Sequence, residues 1–183
     1  RSEAFDVLVE RFGARPGRIG LVGLSLGGYF VTRAAGHDSR FATVMASTPF
    51  PDPAQLFAAS VRAGFAAAAA GATPSPAALR SRAVSMWKAG ARTPEEFLQR
   101  TAGMVADPSR VTLPFLSIVG GGDSKVFQTQ AEGWHRDIRS TRKAFVLLDA
   151  ASVADGHVQA NNRLRLAQEC SGWMDEVFAA GAA

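Results

Sequence analysis

The residues most informative about the fold are Arg18-Ile19-Gly20-Leu21-Val22-Gly23-Leu24-Ser25-Leu26-Gly27-Gly28-Tyr29. The run from Arg18 to Gly23 is short, apolar and bounded by glycines, which is typical of a buried β-strand. A helix is predicted to follow directly, from Gly27 to Ala35. The chain is therefore expected to leave a strand and enter a helix through one tight turn, with Ser25 at its centre.

This turn also matches a catalytic motif. Gly23-Leu24-Ser25-Leu26-Gly27 has the G-x-S-x-G pattern of a nucleophile elbow, in which a strained serine projects its hydroxyl above the sheet. Side chains at both ends of the motif would collide in so tight a turn, which favours Gly23 and Gly27, and Gly28 lets the helix pack close to the strand. The backbone N–H of Leu26, at the helix start, is predicted to point toward a developing oxyanion. The alternative is a glycine-rich turn with an incidental serine.

The rest of the chain alternates between predicted strands and helices. Further strands are predicted at 41–47, 114–120 and 143–149, and further helices at 4–12, 126–138 and 161–179. Such alternation is typical of βαβ units. We therefore expect an α/β fold with a mostly parallel sheet of about four strands.

Residues 53–110 differ from the rest in being rich in alanine, with prolines that mark helix starts. Three helices are predicted there, near 53–70, 76–90 and 94–105. The segment is too long for a simple crossover, so it is predicted to be an inserted helical cap. The expected domains are a core of residues 1–48 and 111–183, and a cap of residues 49–110.

A serine hydroxyl needs a general base, and the chain has three histidines. His157 lies in the loop after the last predicted strand, at the same edge of the sheet as Ser25, and is the predicted base. His37 is expected at the opposite end of the sheet. His135 lies in a predicted helix beside Trp134, where a surface or packing role is favoured. The alternative for His157 is a capping or exposed side chain before the final helix.

A third group must orient the imidazole and stabilise its charged form. Asp123 follows the predicted strand 114–120, and open α/β sheets build their sites at this edge. The order Ser25, Asp123, His157 is that of hydrolases built on a nucleophile elbow. The alternative for Asp123 is a simple turn aspartate. Three other aspartates remain candidates for the acid: Asp52, Asp149 and Asp155.

Three segments of the chain resemble one branch of the α/β-hydrolase fold. They are residues 18–29, residues 114–123 and Gly156-His157-Val158-Gln159-Ala160-Asn161-Asn162-Arg163. The branch includes dienelactone-hydrolase-like and dipeptidyl-peptidase-like esterases, the fermentation-respiration switch protein, and hydrolases of carbon–carbon bonds in aryl ketones or polyketides. Trp87-Lys88-Ala89-Gly90 is also similar to that group. The resemblance implies that Ser25 is the nucleophile, His157 the base and Asp123 its partner.

The resemblance covers only the C-terminal part of that fold. The family normally has several strands before the nucleophile strand, and a loop among them supplies the second oxyanion N–H. Without such neighbours the nucleophile strand would expose an apolar, unpaired edge. The 183-residue chain alone is therefore expected to be poorly soluble or oligomeric and to have little activity. The expected protein partner is either a complementing N-terminal half or further copies of the same chain in a homo-oligomer.

The function predicted from these residues is that of a serine hydrolase. Its substrate is expected to be a small apolar or aromatic molecule with an ester or a ketone-adjacent carbon–carbon bond, bound in part by Trp87 and Phe97 of the cap. Two alternatives stay open: an inactive remnant that acts at most as an interaction module, and an acyltransferase that uses the same triad.

Composition excludes several other classes. With 47% hydrophobic and 20% charged residues the chain suits one globular domain with an insertion, and the single Cys excludes a disulfide scaffold. The arginines are scattered, so nucleic-acid binding is not expected. The longest apolar run, 63–70, is far shorter than the roughly 20 residues of a membrane span. Neither a cofactor nor a metal site is expected from three dispersed histidines. No signal peptide is recognised, so the expected location is the cytoplasm.

Overall fold

A computed structural model describes residues 3–181 of the chain. Within this range the chain forms two compact units. One runs to Pro51 and resumes at Ala106, and the other is Asp52–Val105.

Strands and helices follow one another along the chain as α1, β1, α2, β2, then three helices, then β3, α6, β4 and α7. The helices are α1 Glu3–Phe12, α2 Leu26–Ala35, α3 Pro53–Ala69, α4 Pro76–Lys88, α5 Pro94–Thr101, α6 Lys125–Asp137 and α7 Arg163–Ala180. The strands are β1 Gly20–Leu24, β2 Thr43–Ser47, β3 Phe115–Gly120 and β4 Lys143–Leu148.

The four strands form one parallel sheet in the order β1-β2-β3-β4. The predicted parallel α/β sheet is therefore confirmed. The first strand begins later than the sequence suggests, because Pro16–Arg18 forms a short 3-10 turn and pairing starts at Gly20. Parallel register brings the carboxyl ends of all four strands to one edge of the sheet.

The core lies on the two central strands, all of whose residues are buried. On one face of the sheet α7 covers Met45, Leu116 and Ile118, and its own buried residues recur every three or four positions. These are Leu166, Cys170, Trp173 and Val177. The indole Nε1 of Trp173 donates to Thr43 Oγ1 at 2.7 Å, so the large ring is buried with its polar atom satisfied.

Strand β1 differs from the central strands in its surroundings. Among the described residues it pairs only with β2, so it lies at an edge of the sheet. Val22 is 51% exposed, whereas its register partner Met45 is fully buried. An apolar side chain that would be covered in a central strand is therefore open here.

The unit formed by Asp52–Val105 contains helices α3, α4 and α5. Each begins with a proline in its first turn, preceded by a residue whose side-chain oxygen accepts an N–H three positions further on. The three capping residues are Asp52, Ser75 and Thr93. Phe57 and Phe97 pack together with ring centroids 5.1 Å apart. None of the described helices is both long and apolar enough to cross a membrane.

Candidate active site

Ser25 occupies the turn between β1 and α2 with φ 53° and ψ −120°. A residue other than glycine rarely adopts a positive φ, and such strain persists only where the surroundings impose it. Here the Ser25 N–H donates to the carbonyl of Ser47 at 3.0 Å, which ties the turn to the end of β2. The strained elbow predicted from the sequence is the observed backbone conformation.

The glycines of the motif differ in whether a side chain would fit at their positions. A Cβ on Gly23 would lie 2.2 Å from the carbonyl oxygen of Gly27, so no side chain fits there. A Cβ on Gly28 would lie 2.8 Å from the carbonyl oxygen of Thr48, which explains how α2 approaches β2 so closely. The expectation for Gly27 was wrong, because a Cβ at this position meets nothing within 4 Å. Of the two outer glycines of the motif, only Gly23 occupies a position where a side chain would clash.

The three predicted triad residues form an unbroken chain of hydrogen bonds. Nε2 of His157 lies 2.9 Å from Oγ of Ser25, and Nδ1 of His157 lies 2.6 Å from Oδ1 of Asp123. The carboxylate of Asp123 is buried, whereas the imidazole of His157 is partly exposed. A ring with a carboxylate on one nitrogen can take a proton from a hydroxyl on the other.

Asp123 is held in place by its own loop and by Thr48, directly after β2. Its N–H donates to the carbonyl of Gly120, and its Oδ2 accepts a hydrogen bond from Oγ1 of Thr48 at 2.9 Å. A Cβ on Gly120 would lie 2.2 Å from the carbonyl oxygen of Asp155. The absence of a side chain at Gly120 therefore lets the loop before His157 lie directly against the end of β3.

The loop that carries His157 is also strained. Val158 has φ 49° and Gln159 has φ 52°, and both are unusual for residues with a side chain. Gln159 is fully buried, and its Oε1 accepts a hydrogen bond from Oγ of Ser47 at 2.7 Å. The ring of Phe127 stacks on the imidazole of His157. Packing and hydrogen bonds thus fix the orientation of the His157 imidazole.

The backbone N–H of Leu26 belongs to the first residue of α2, directly after Ser25. The first N–H groups of a helix have no carbonyl partner within the helix. They also lie at the positive end of the helix dipole, so this position suits a negative oxygen.

The other histidines and aspartates considered for the base and the acid make contacts outside the Ser25–His157–Asp123 chain. Nδ1 of His37 lies 2.8 Å from the carbonyl of Arg33, and His135 packs against the ring of Phe145. Burial lowers the pKa of His135. Asp52 caps α3 by accepting the N–H of Gln55. Asp149 accepts the backbone N–H of Ser152, and Asp155 accepts the side-chain amide of Asn161.

The predicted substrate-binding residues Trp87 and Phe97 both belong to the Asp52–Val105 unit. This unit contains a cavity of about 510 Å³ between its helices, lined mostly by apolar side chains such as Phe57, Phe65 and Met86, with Arg82 and three serines among them. Phe97 lines this cavity. Trp87 is 78% exposed and does not line it. Within residues 3–181, no cluster of three or more His, Cys, Asp or Glu side chains is arranged to hold a metal ion.

Sequence analysis did not single out Thr48 or Phe127, and it noted Gln159 only as part of a resemblance. Thr48 contacts Asp123, Phe127 stacks on His157, and Gln159 accepts a hydrogen bond from Ser47. Neither Thr48 nor Phe127 belongs to a recognisable motif. The only available signal for Thr48 was its position at the end of a predicted strand, where sites of α/β sheets are built.

A parallel sheet with a strained serine between its first strand and the following helix is the arrangement of an α/β-hydrolase fold. The chain belongs to the prolyl oligopeptidase family, whose family model matches residues 2–181. No curated protein matches the chain significantly.

Solved structures similar to the chain include three α/β-hydrolases. They are a 2,6-dihydroxy-pseudo-oxynicotine hydrolase (TM-score 0.67, 18% identity), the α/β-hydrolase domain-containing protein 10 from mouse (0.54, 20%) and a thermophilic esterase from Thermogutta terrifontis (0.52, 22%). The matches cover 97%, 91% and 93% of this chain, and 45%, 67% and 69% of those chains. The chain thus spans less than half the length of the first hydrolase. Because the sequence identities are 22% or lower, the structural similarity establishes the fold alone.

Proposed function

We propose that the protein is a serine hydrolase in which Ser25 is the nucleophile, His157 the general base and Asp123 the group that orients His157. Nε2 of His157 takes the hydroxyl proton as Oγ of Ser25 attacks a carbonyl carbon. The same proton then passes to the leaving group, and an acyl-enzyme remains. Water, activated by His157, hydrolyses the acyl-enzyme and restores Ser25.

The backbone N–H of Leu26 is proposed to donate to the oxyanion that forms during attack. Its place at the start of α2 supports this role, because the donor is fixed before the charge develops. Preorganised donors of this kind contribute about 3–4 kcal/mol each to transition-state stabilisation.

The substrate is proposed to be a small molecule with an apolar or aromatic group next to an ester or a ketone-adjacent carbon–carbon bond. The mostly apolar lining of the cavity in the Asp52–Val105 unit supports this class. So do the names of the similar structures, which include an esterase and a hydrolase of 2,6-dihydroxy-pseudo-oxynicotine.

The observation that carries the proposal is the hydrogen-bonded chain from Asp123 through His157 to Ser25. The test is hydrolysis of 4-nitrophenyl butyrate by the natural full-length protein and by Ser25→Ala and His157→Ala. Each substitution should lower kcat by about 10³-fold or more, since only binding and oxyanion stabilisation remain. Turnover by Ser25→Ala at the wild-type rate would refute the assignment.

A second experiment tests the substrate class. Phe97→Leu keeps the cavity apolar but changes its shape, so we expect an altered KM and a changed preference among acetyl, butyryl and benzoyl esters of 4-nitrophenol. The substrate preference of Phe97→Leu is compared with that of Trp87→Ala, which changes an exposed aromatic residue of the same unit. An unchanged preference in Phe97→Leu would contradict a role for this cavity in substrate choice.

A further inference from the structure

The carboxyl end of β2 contacts all three triad segments, although sequence motifs assign it no role. The carbonyl of Ser47 accepts the N–H of Ser25, and Oγ of Ser47 donates to Gln159, two residues after His157. Oγ1 of Thr48 donates to Oδ2 of Asp123. Two consecutive residues therefore tie together segments that are far apart in the sequence.

Thr48 is held rigidly in an unfavourable backbone conformation. Its φ is 58°, which is a clear outlier for a β-branched residue. Its N–H donates to the carbonyl of Ile118 in β3 at 2.7 Å, and its own carbonyl oxygen lies against Gly28 of α2. Thr48 is fully buried, so its side chain cannot reach solvent or a substrate. Strain of this kind is retained where the position of a group matters.

The hydroxyl of Thr48 occupies the side of the Asp123 carboxylate that His157 does not use. Oδ1 faces Nδ1 of His157, and Oδ2 faces Oγ1 of Thr48. A carboxylate held at both oxygens cannot rotate about its Cβ–Cγ bond without losing one of the two hydrogen bonds. The hydroxyl therefore sets the plane in which Oδ1 meets the imidazole.

We propose that Thr48 is a positioning residue that fixes the Asp123 carboxylate, and through it the imidazole of His157, for proton transfer from Ser25. The proposal rests on the serine-hydrolase function proposed above. It predicts that loss of the Thr48 hydroxyl slows the chemical step and leaves substrate binding unchanged, because Thr48 does not contact substrate.

The test compares kcat and KM for 4-nitrophenyl butyrate in the natural full-length protein and in three variants. Thr48→Val removes the hydroxyl and keeps the shape, Thr48→Ser keeps the hydroxyl, and Thr48→Gly removes the hydroxyl while relieving the positive φ. Thr32→Val is the matched control, since Thr32 is equally buried and its hydroxyl donates to the backbone carbonyl of Tyr29.

We expect kcat to fall about 10- to 100-fold in Thr48→Val and Thr48→Gly, with KM within about twofold of wild type. This is the range seen when the outer partner of a metal-binding side chain is removed. Thr48→Ser should recover most of the lost kcat, and Thr32→Val should change only the unfolding temperature. Thr48→Gly makes the test independent of steric strain, because glycine adopts a positive φ without a Cβ clash.

Two outcomes would overturn the proposal. One is a kcat for Thr48→Gly or Thr48→Val that equals that of Thr32→Val, and the other is a Thr48→Ser variant as slow as Thr48→Val. Labelling of Ser25 by a fluorophosphonate separates this failure from failure of the proposed function. If the wild-type protein is labelled at Ser25, only the role of Thr48 is refuted; if it is not, both proposals are.

Discussion

The ring of Phe127 stacks on the imidazole of His157, with the ring centroids 5.2 Å apart and the planes inclined by 27°. Phe127 lies in the first turn of α6, shortly after Asp123, and also packs against the ring of Phe50. One short segment therefore supplies both the carboxylate that accepts from His157 and the aromatic surface against which its ring rests.

This stack predicts a modest kinetic effect for Phe127→Leu. Aromatic pairs contribute about 0.5–1.5 kcal/mol beyond their buried area, so we expect kcat to fall about 2- to 10-fold as the imidazole gains freedom. Phe127→Tyr keeps the ring and should retain activity. Steady-state hydrolysis of 4-nitrophenyl butyrate measures both. Equal kcat values for Phe127→Leu and wild type would show that Asp123 alone orients the ring.

The acid of the triad can be tested with two isosteric substitutions. Asp123→Asn should lower kcat by about 10³- to 10⁴-fold, because the amide favours the wrong imidazole tautomer. Asp52→Asn should retain activity and stability, because Asp52 caps α3 and asparagine caps a helix about as well as aspartate. Loss of activity in Asp52→Asn with retention in Asp123→Asn would reverse the assignment.

The two outer glycines of the elbow motif should respond differently to alanine. Gly23→Ala places a methyl group 2.2 Å from the carbonyl oxygen of Gly27, so we expect a loss of about 1–3 kcal/mol in the free energy of unfolding. Gly27→Ala meets no neighbouring atom and lies in α2, so it should stabilise the protein by about 0.5–1 kcal/mol. Urea unfolding of each variant measures the change in its free energy of unfolding. Similar losses in the two variants would contradict the observed turn geometry.

The open edge of β1 is proposed to pair with a further strand, from a complementing N-terminal segment or from a second copy of the chain. Within residues 3–181 no strand pairs with the outer side of β1, and the N–H and C=O groups of such an edge, beside the exposed Val22, favour pairing. We predict that the 183-residue chain alone self-associates and that Val22→Lys reduces association. Val84→Lys, at an exposed valine of α4, is the control. Light scattering that shows a monomeric wild-type chain would contradict this prediction.

The sequence was sufficient to predict the site residues whose place in the fold follows from their position at the end of a strand. Ser25, Asp123 and His157 each follow a predicted strand, and parallel strands necessarily end at one edge of the sheet. The contacts of Thr48 and Phe127 depend on side-chain direction and on a positive φ, neither of which a single sequence specifies. The same limit explains the wrong expectation for Gly27, since the motif does not show which of its glycines has a close neighbour.

The central claim is that His157 and Asp123 activate Ser25. The most direct test is labelling of the natural full-length protein by a fluorophosphonate at pH 7.5, followed by peptide mapping. The single cysteine of the chain, Cys170, is buried, and burial raises the pKa of its thiol to about 11, so it should remain unmodified. The account predicts one adduct, on Ser25, that forms far more slowly in His157→Ala and is absent in Ser25→Ala. An adduct on another residue, or equal labelling rates in wild type and His157→Ala, would contradict it.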